Sequence, residues 1–213
     1  HETVISQIFY TLNDHDFKKL AAENTTQLAE LTTLGNFQQI MSSLLPKQKT
    51  KYFERVKDKL PKITTCGDDF TDIMSTLNTD QQAEYYGLIK DKLPKLTETF
   101  DDFKKIMSWL NPNQQAEYFD SLKNVKNKLH DLTETLDNFK KIMSWLDTDQ
   151  QAKYFGLVKD KLARLTTTRY DYKNMISSHS PLSGEQKKVY FDSIKIIENK
   201  LHELTKSAFD FKQ

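Results

Sequence analysis

The chain has 213 residues, 37% of them apolar and 29% charged, enough for one large domain or two small ones. Its 31 Lys and Arg nearly cancel 30 Asp and Glu, leaving a net charge of +1, which argues against a generic nucleic-acid binder. The single Cys66 excludes an internal disulfide framework and a multi-cysteine zinc site, and no run of about 18 apolar residues is present to span a membrane. The first residue is His1 rather than Met and no signal peptide follows, so the chain reads as a fragment or processed product.

In chain order, the sequence repeats itself. A degenerate copy opens near Ile5, with Ile8, Phe9, Leu12, Leu28 and Leu31 in register. The next opens at Phe37 (FQQIMSSLLPKQKTKYFERVKDKLPKITT). Three close copies then open at Phe70, Phe103 and Phe139, the leading aromatics stepping 33 and then 36 residues, and a weaker one opens at Tyr172. Residues 206–213, with Phe209 and Phe211, read as a truncated helix beginning a further unit. Periods of this size indicate stacked supersecondary units, none of which can bury its apolar face alone. The expected fold is all-α: one repeat domain over 1–213, a solenoid of about six antiparallel helical hairpins of 33–36 residues, with units beginning near 5, 37, 70, 103, 139 and 172.

Each unit is predicted to hold two helices. The first carries a stripe such as Phe103, Ile106, Met107 and Leu110, and the second a longer one such as Tyr118, Phe119, Leu122, Val125, Leu129 and Leu132. Thr99-x-x-Asp102 and Thr135-x-x-Asn138 are start signals for first helices. Asn78-x-x-Gln81, Asn111-Pro112-x-Gln114, Asp147-x-x-Gln150 and Ser183-x-x-Gln186 are start signals for second helices. The glutamine pairs Gln81-Gln82, Gln114-Gln115 and Gln150-Gln151 are expected to cap, and the recurrent Tyr-Phe pairs to pack in the core. Pro61 and Pro94 should kink or end their helices early. Three extra residues in the copies from Phe103 and Tyr172 should lengthen the second helix there. The loosest loop is expected at His179, Ser180, Pro181 and Gly184.

No residue pattern points to catalysis. The five histidines lie in no known catalytic frame, and Asp14-His15-Asp16 are sequence neighbours that share no helix face. No glycine-rich phosphate loop or paired acid/base carboxylates are recognisable. The expectation is a non-enzyme with no cofactor and no metal. Trp109 and Trp145 share one repeat position at the core edge, filled elsewhere by Ser43 and Thr76, and with Lys105 and Lys141 they form the expected protein-contact patch. Lys57, Lys90, Lys92, Lys95, Lys159 and Lys161 recur in columns that would suit an anionic lipid or another acidic ligand, or else form a solvated flank.

The segment Leu110-Asn111-Pro112-Asn113 with Ala116 and Tyr118 resembles the inter-repeat loop and helix opening of tetratricopeptide repeats. The pattern F-x-x-I-M-x-x-L-x-x-x-Q-Q-x-x-Y-F-x-x-x-K-x-K-L-x-x-L-T, with its Lys/Asn/Gln/Thr-rich texture, resembles the all-helical repeats of effector proteins from Legionella-type intracellular bacteria. That resemblance implies secretion into a host cell, residence in its cytoplasm or at a membrane surface, and binding of another protein. The alternatives are a phosphoinositide-binding module, or a positioning domain for an enzymatic module outside this segment.

Overall fold

The computed structural model describes residues 33–125, 127–197 and 200–206. All regular structure among them is helical and no strand occurs. The unit predicted near residue 5, the His15 cluster and most of the predicted 206–213 helix lie outside these residues. The chain divides into two compact units, one running to Asn111 and one starting at Pro112. The first contains α1 Leu34–Ser43, α2 Pro46–Val56, a 3₁₀ turn Lys57–Lys59, α3 Leu60–Ile63, α4 Gly67–Thr76, α5 Thr79–Ile89, α6 Leu93–Leu96 and α7 Phe100–Trp109. The second contains α8 Pro112–Lys123, α9 Lys128–Leu132, α10 Leu136–Trp145, α11 Thr148–Leu165, α12 Arg169–Ile176, α13 Gly184–Ile196 and α14 Lys200–Lys206.

Helix starts follow the sequence signals. The Thr99 hydroxyl accepts from the Asp102 amide while Asp102 Oδ2 accepts from the Thr99 amide at 2.9 Å, and Thr168 with Asp171 repeats the exchange. Asn78/Gln81, Asp147/Gln150 and Ser183/Gln186 close the same box at α5, α11 and α13. Each box satisfies amides that a helix start leaves without partners. The second glutamine of two of the pairs finishes the preceding helix instead. Gln82 Nε2 donates to the carbonyls of Met74 and Leu77 at 2.8 and 3.1 Å, and Gln151 Nε2 to those of Met143 and Leu146 at 2.9 and 3.0 Å. A Gln-Gln pair therefore locks both sides of a two-residue link.

The link reverses the chain and brings one aromatic from each helix together. Phe37 stacks on Tyr52, Phe70 on Tyr85 and Phe139 on Tyr154, with centroids 6.1, 5.8 and 5.5 Å apart and planes 25° from parallel. All six rings are fully buried. In the last copy Tyr172 stacks on Tyr190 at 6.4 Å, across the longest link, residues 177–183.

α11 runs unbroken for 18 residues. Where α11 has Ala163, the copies opening at Phe37 and Phe70 have Pro61 and Pro94, and there the helix breaks into α2 and α3, and into α5 and α6. A proline ring clashes with the carbonyl four residues back and donates no hydrogen bond. Around Pro94 the chain tightens, with Lys92 N–H bonding the Ile89 carbonyl at 2.8 Å.

The three-residue insertions correct an expectation. They do not lengthen the second helices. α8 ends at Lys123 and α9 starts at Lys128, joined through Asn127 in the left-handed region at φ 62°. α13 ends at Ile196 and α14 resumes at Lys200. Three helical residues advance about 300°, so a continuous helix would turn everything beyond the insertion about 60° away from the core. A break keeps Leu129 and Leu132 in phase, each 2% exposed.

Within the first unit, α4 packs between α1 and α7. Gly67 permits the closest approach: a Cβ there would lie 2.8 Å from Asp102 Oδ1 and 3.0 Å from Asp102 Cα. Within the second unit, α11 packs against α9, α10 and α13. The first-helix stripe is core, with Phe103, Ile106 and Met107, or Phe139, Ile142 and Met143, fully buried. Of the expected second-helix stripe Tyr118, Phe119, Leu122, Leu129 and Leu132 are buried, but Val125 is 39% exposed because the break after α8 takes it out of phase.

Candidate functional site

The polar chemistry of the molecule concentrates where one copy's second helix ends beside the next copy's. Thr64, Thr133 and Thr166 close these ends and are fully buried. Each hydroxyl donates to the carbonyl four residues back: Leu60 at 2.7 Å, Leu129 at 2.7 Å and Leu162 at 2.9 Å. With that proton committed, each threonine oxygen accepts from a tyrosine of the following copy. Tyr85, Tyr154 and Tyr190 reach Thr64, Thr133 and Thr166 at the same 2.6 Å. Burial pushes the hydroxyls of Tyr85 and Tyr154 well above their ordinary value and that of Tyr190 up to about 12.

Lysines complete these ends. Lys92 Nζ donates to the carbonyls of Pro61 and Thr64 at 2.7 and 2.6 Å, Lys161 Nζ to that of His130 at 2.7 Å, and Lys200 Nζ to that of Arg164 at 3.0 Å. A cation at a helix C-terminus satisfies open carbonyls and complements the macrodipole. Lys57 sits between Glu54 at 2.7 Å and Glu84 at 2.5 Å, and hydrogen bonds to both hold its ammonium far above its ordinary value. The six lysines predicted as one anion-binding column therefore differ in role. Lys57, Lys92 and Lys161 are engaged within the molecule. Lys95 is exposed, and Lys90 and Lys159 are half-buried.

Trp109 and Trp145 are both half-buried, at the ends of α7 and α10, as are Ser43 and Thr76 at the same repeat position. Each tryptophan follows a fully buried pair, Ile106 with Met107 and Ile142 with Met143. Lys105 reaches from α7 to Asp68 of α4 at 2.6 Å, and that hydrogen bond raises its ammonium above the ordinary value. Lys141 is exposed.

Cys66 occupies the cap of α4 without a capping bond from its sulfur. Burial pushes the nearby Asp69 carboxyl up, but hydrogen bonds from Thr65 and Cys66 outweigh it and hold the group below the ordinary carboxylate value. His130, His179 and His202 are exposed. Among the described residues no three His, Cys, Asp or Glu side chains gather as a metal site, and no helix is long and apolar enough to cross a membrane. The insertion after α8 opens a cleft of about 340 Å³, with Lys123, Lys128 and His130 beside the exposed Val125 and Leu157.

Sequence reasoning passed over the threonines. Their signal was recurrence: Thr64, Thr97, Thr133 and Thr166 all end the same K-L-x-x-[LI]-T phrase or its proline variant. Comparison with protein-family models, with curated proteins and with solved structures finds no match.

Proposed function

We propose that the chain is a tandem solenoid of about six helical hairpins, acting as a non-enzymatic protein-interaction scaffold like the effector repeat regions whose texture it resembles. The observation that carries this reading is the recurrence of one buried polar link, Tyr85–Thr64, Tyr154–Thr133 and Tyr190–Thr166, at one length. A link of constant geometry sets neighbouring copies at a constant offset, so outward positions recur at regular spacing. A partner then meets a preformed surface, and little ordering entropy is lost on binding. Trp109 and Trp145 are the proposed anchors, with Lys105 and Lys141 beside them. Tryptophan is among the residues enriched in binding hot spots, where a partner desolvates it fully. The lipid alternative gains nothing from the lysine geometry, because three of its six residues serve helix ends and carboxylates.

The test is Trp109→Ala with Trp145→Ala in the full chain. Far-UV circular dichroism should be unchanged, and capture of the partner identified by photo-crosslinking from position 145 should weaken by about tenfold or more, as for hot-spot aromatics. Equal capture by wild type and variant would remove both residues from the contact surface.

A further inference from the structure

In the first unit, the starts of α2 and α5 flank a cleft of about 460 Å³. Lys47, Lys49 and Thr50 line it from α2, and Thr76, Asn78 and Gln81 line it from the end of α4 and the start of α5. Gln81 is 6% exposed. Its Oε1 accepts from the Asn78 amide at 3.2 Å and so closes the helix start. Its Nε2 donates to nothing, and among the described residues it is the one buried side-chain nitrogen or oxygen without a partner. Gln150, at the matching position of α11 and equally buried, gives its Nε2 to the Ala116 carbonyl at 3.4 Å. A buried N–H without an acceptor is costly, and an acceptor brought into the cleft removes that cost.

The charges point to the kind of acceptor. Lys47 stands where α5, α11 and α13 carry Asp80, Asp149 and Glu185 in their first turns. Acids complement the macrodipole at a helix start and cations oppose it. α2 has no acid in its first turn, and its cap, Leu45, supplies no side-chain acceptor. The cleft thus presents two ammonium groups and no carboxylate among the residues that line it. Ammonium groups act as point charges toward phosphate, whereas the arginine fork suits a planar carboxylate. A phosphate ester group carries about −1.5 to −2 charge at pH 7, which matches two lysines. Thr50 and Thr76 spend their hydroxyl protons on the carbonyls of Pro46 and Ile73, at 3.3 and 2.8 Å, so each oxygen remains an acceptor. The volume falls within the range of small-ligand pockets.

We propose that this cleft binds a small hydroxylated phosphomonoester. Lys47 and Lys49 hold its phosphate, Gln81 Nε2 donates to a phosphate oxygen, and the threonine oxygens accept from its hydroxyls. The site goes beyond the scaffold reading and does not depend on it.

Calorimetric titration of the full chain with glycerol 3-phosphate, inorganic phosphate and acetate tests it. Glycerol 3-phosphate should bind one to one and more tightly than either ion. Lys47→Asn with Lys49→Gln, the side chains that α8 carries at the same positions, should weaken binding by about tenfold or more. Gln81→Glu keeps the capping acceptor but replaces the N–H donor with a charged oxygen, and should weaken binding at least as much. Circular dichroism should be unchanged in both variants. Lys95→Gln, an exposed lysine that does not line the cleft, should bind as wild type. Absence of saturable binding overturns the proposal, as does wild-type affinity in either cleft variant. An equal loss in Lys95→Gln overturns it in favour of diffuse surface charge. Tighter binding of inorganic phosphate overturns it in favour of the free ion, and tighter binding of acetate in favour of a carboxylate.

Discussion

At the residue scale, the tyrosine–threonine link is asymmetric, and the asymmetry is measurable. Thr133 Oγ1 donates to Leu129 and accepts from Tyr154. Removing the tyrosine hydroxyl leaves an acceptor without its second partner. Removing the threonine hydroxyl strands a buried donor. Tyr154→Phe should therefore cost about 1 kcal/mol, and Thr133→Val about 1–3 kcal/mol, in urea unfolding. Equal losses would mean that the proton runs the other way. The same tyrosines set a pH dependence. Tyr190 is held up to about 12 by burial, against about 10 in an unfolded chain, so the folded state keeps its proton more tightly. Its stabilisation is intact below pH 10 and is lost as pH rises from 10 towards 12. Stability measured across that window should fall, and Tyr190→Phe should flatten the fall. Asp171 works at the other end of the scale. Burial pushes its carboxyl up, but hydrogen bonds from Thr168 and Thr167 prevail and hold it below the ordinary value. Its contribution is present above that value and disappears on acidification.

At the element scale, helix starts and the core stripe were legible in the sequence because each depends on residues close together: a cap and its partner three positions on, or apolar side chains at i, i+3, i+4 and i+7. Pro61 and Pro94 were legible for the same reason. Ala163 supplies the internal control, so Pro94→Ala should join α5 to α6 and raise helicity by circular dichroism. Ala163→Pro should break α11 at a cost below the roughly 3 kcal/mol of a proline in a rigid helix, because the α2–α3 path shows the chain another route. A full 3 kcal/mol loss would show that α11 has no such route. The insertions were misread because counting turns ignores phase. Residues added to a helix change its length and also rotate everything after them. The lysine columns were misread for a different reason. Sequence places Lys92 and Lys161 on an outward flank but does not reveal that a flexible stem carries the ammonium back to the preceding copy's last carbonyls.

At the scale of the whole molecule, the tyrosine–threonine links join neighbouring copies within each compact unit. Tyr190 and Lys200 finish the end of α11, although both belong to the next copy. In the proposed tandem array, stability is a sum of unit terms and nearest-neighbour terms. Tyr190→Phe should therefore speed hydrogen exchange at residues 162–166, in the preceding copy, and leave α10 unchanged. Uniform acceleration throughout the second unit would show that the unit opens as one body. The candidate contact site was only partly legible at this scale. The shared position of Trp109 and Trp145 was visible in the repeat, whereas the cleft after α8 exists only because an insertion breaks a helix.

The lysine caps have a consequence for biosynthesis. The copies opening at Phe70 and Phe139 hold both glutamines and both stacked rings within themselves, so each can close its own hairpin as it leaves the ribosome. The last turns closed by Thr64, Thr133 and Thr166 must wait for the ammonium and phenol of the next copy. At these ends completion trails emergence by one copy, about 33 residues of new chain, so in the proposed array the newest seam is the one left open during translation.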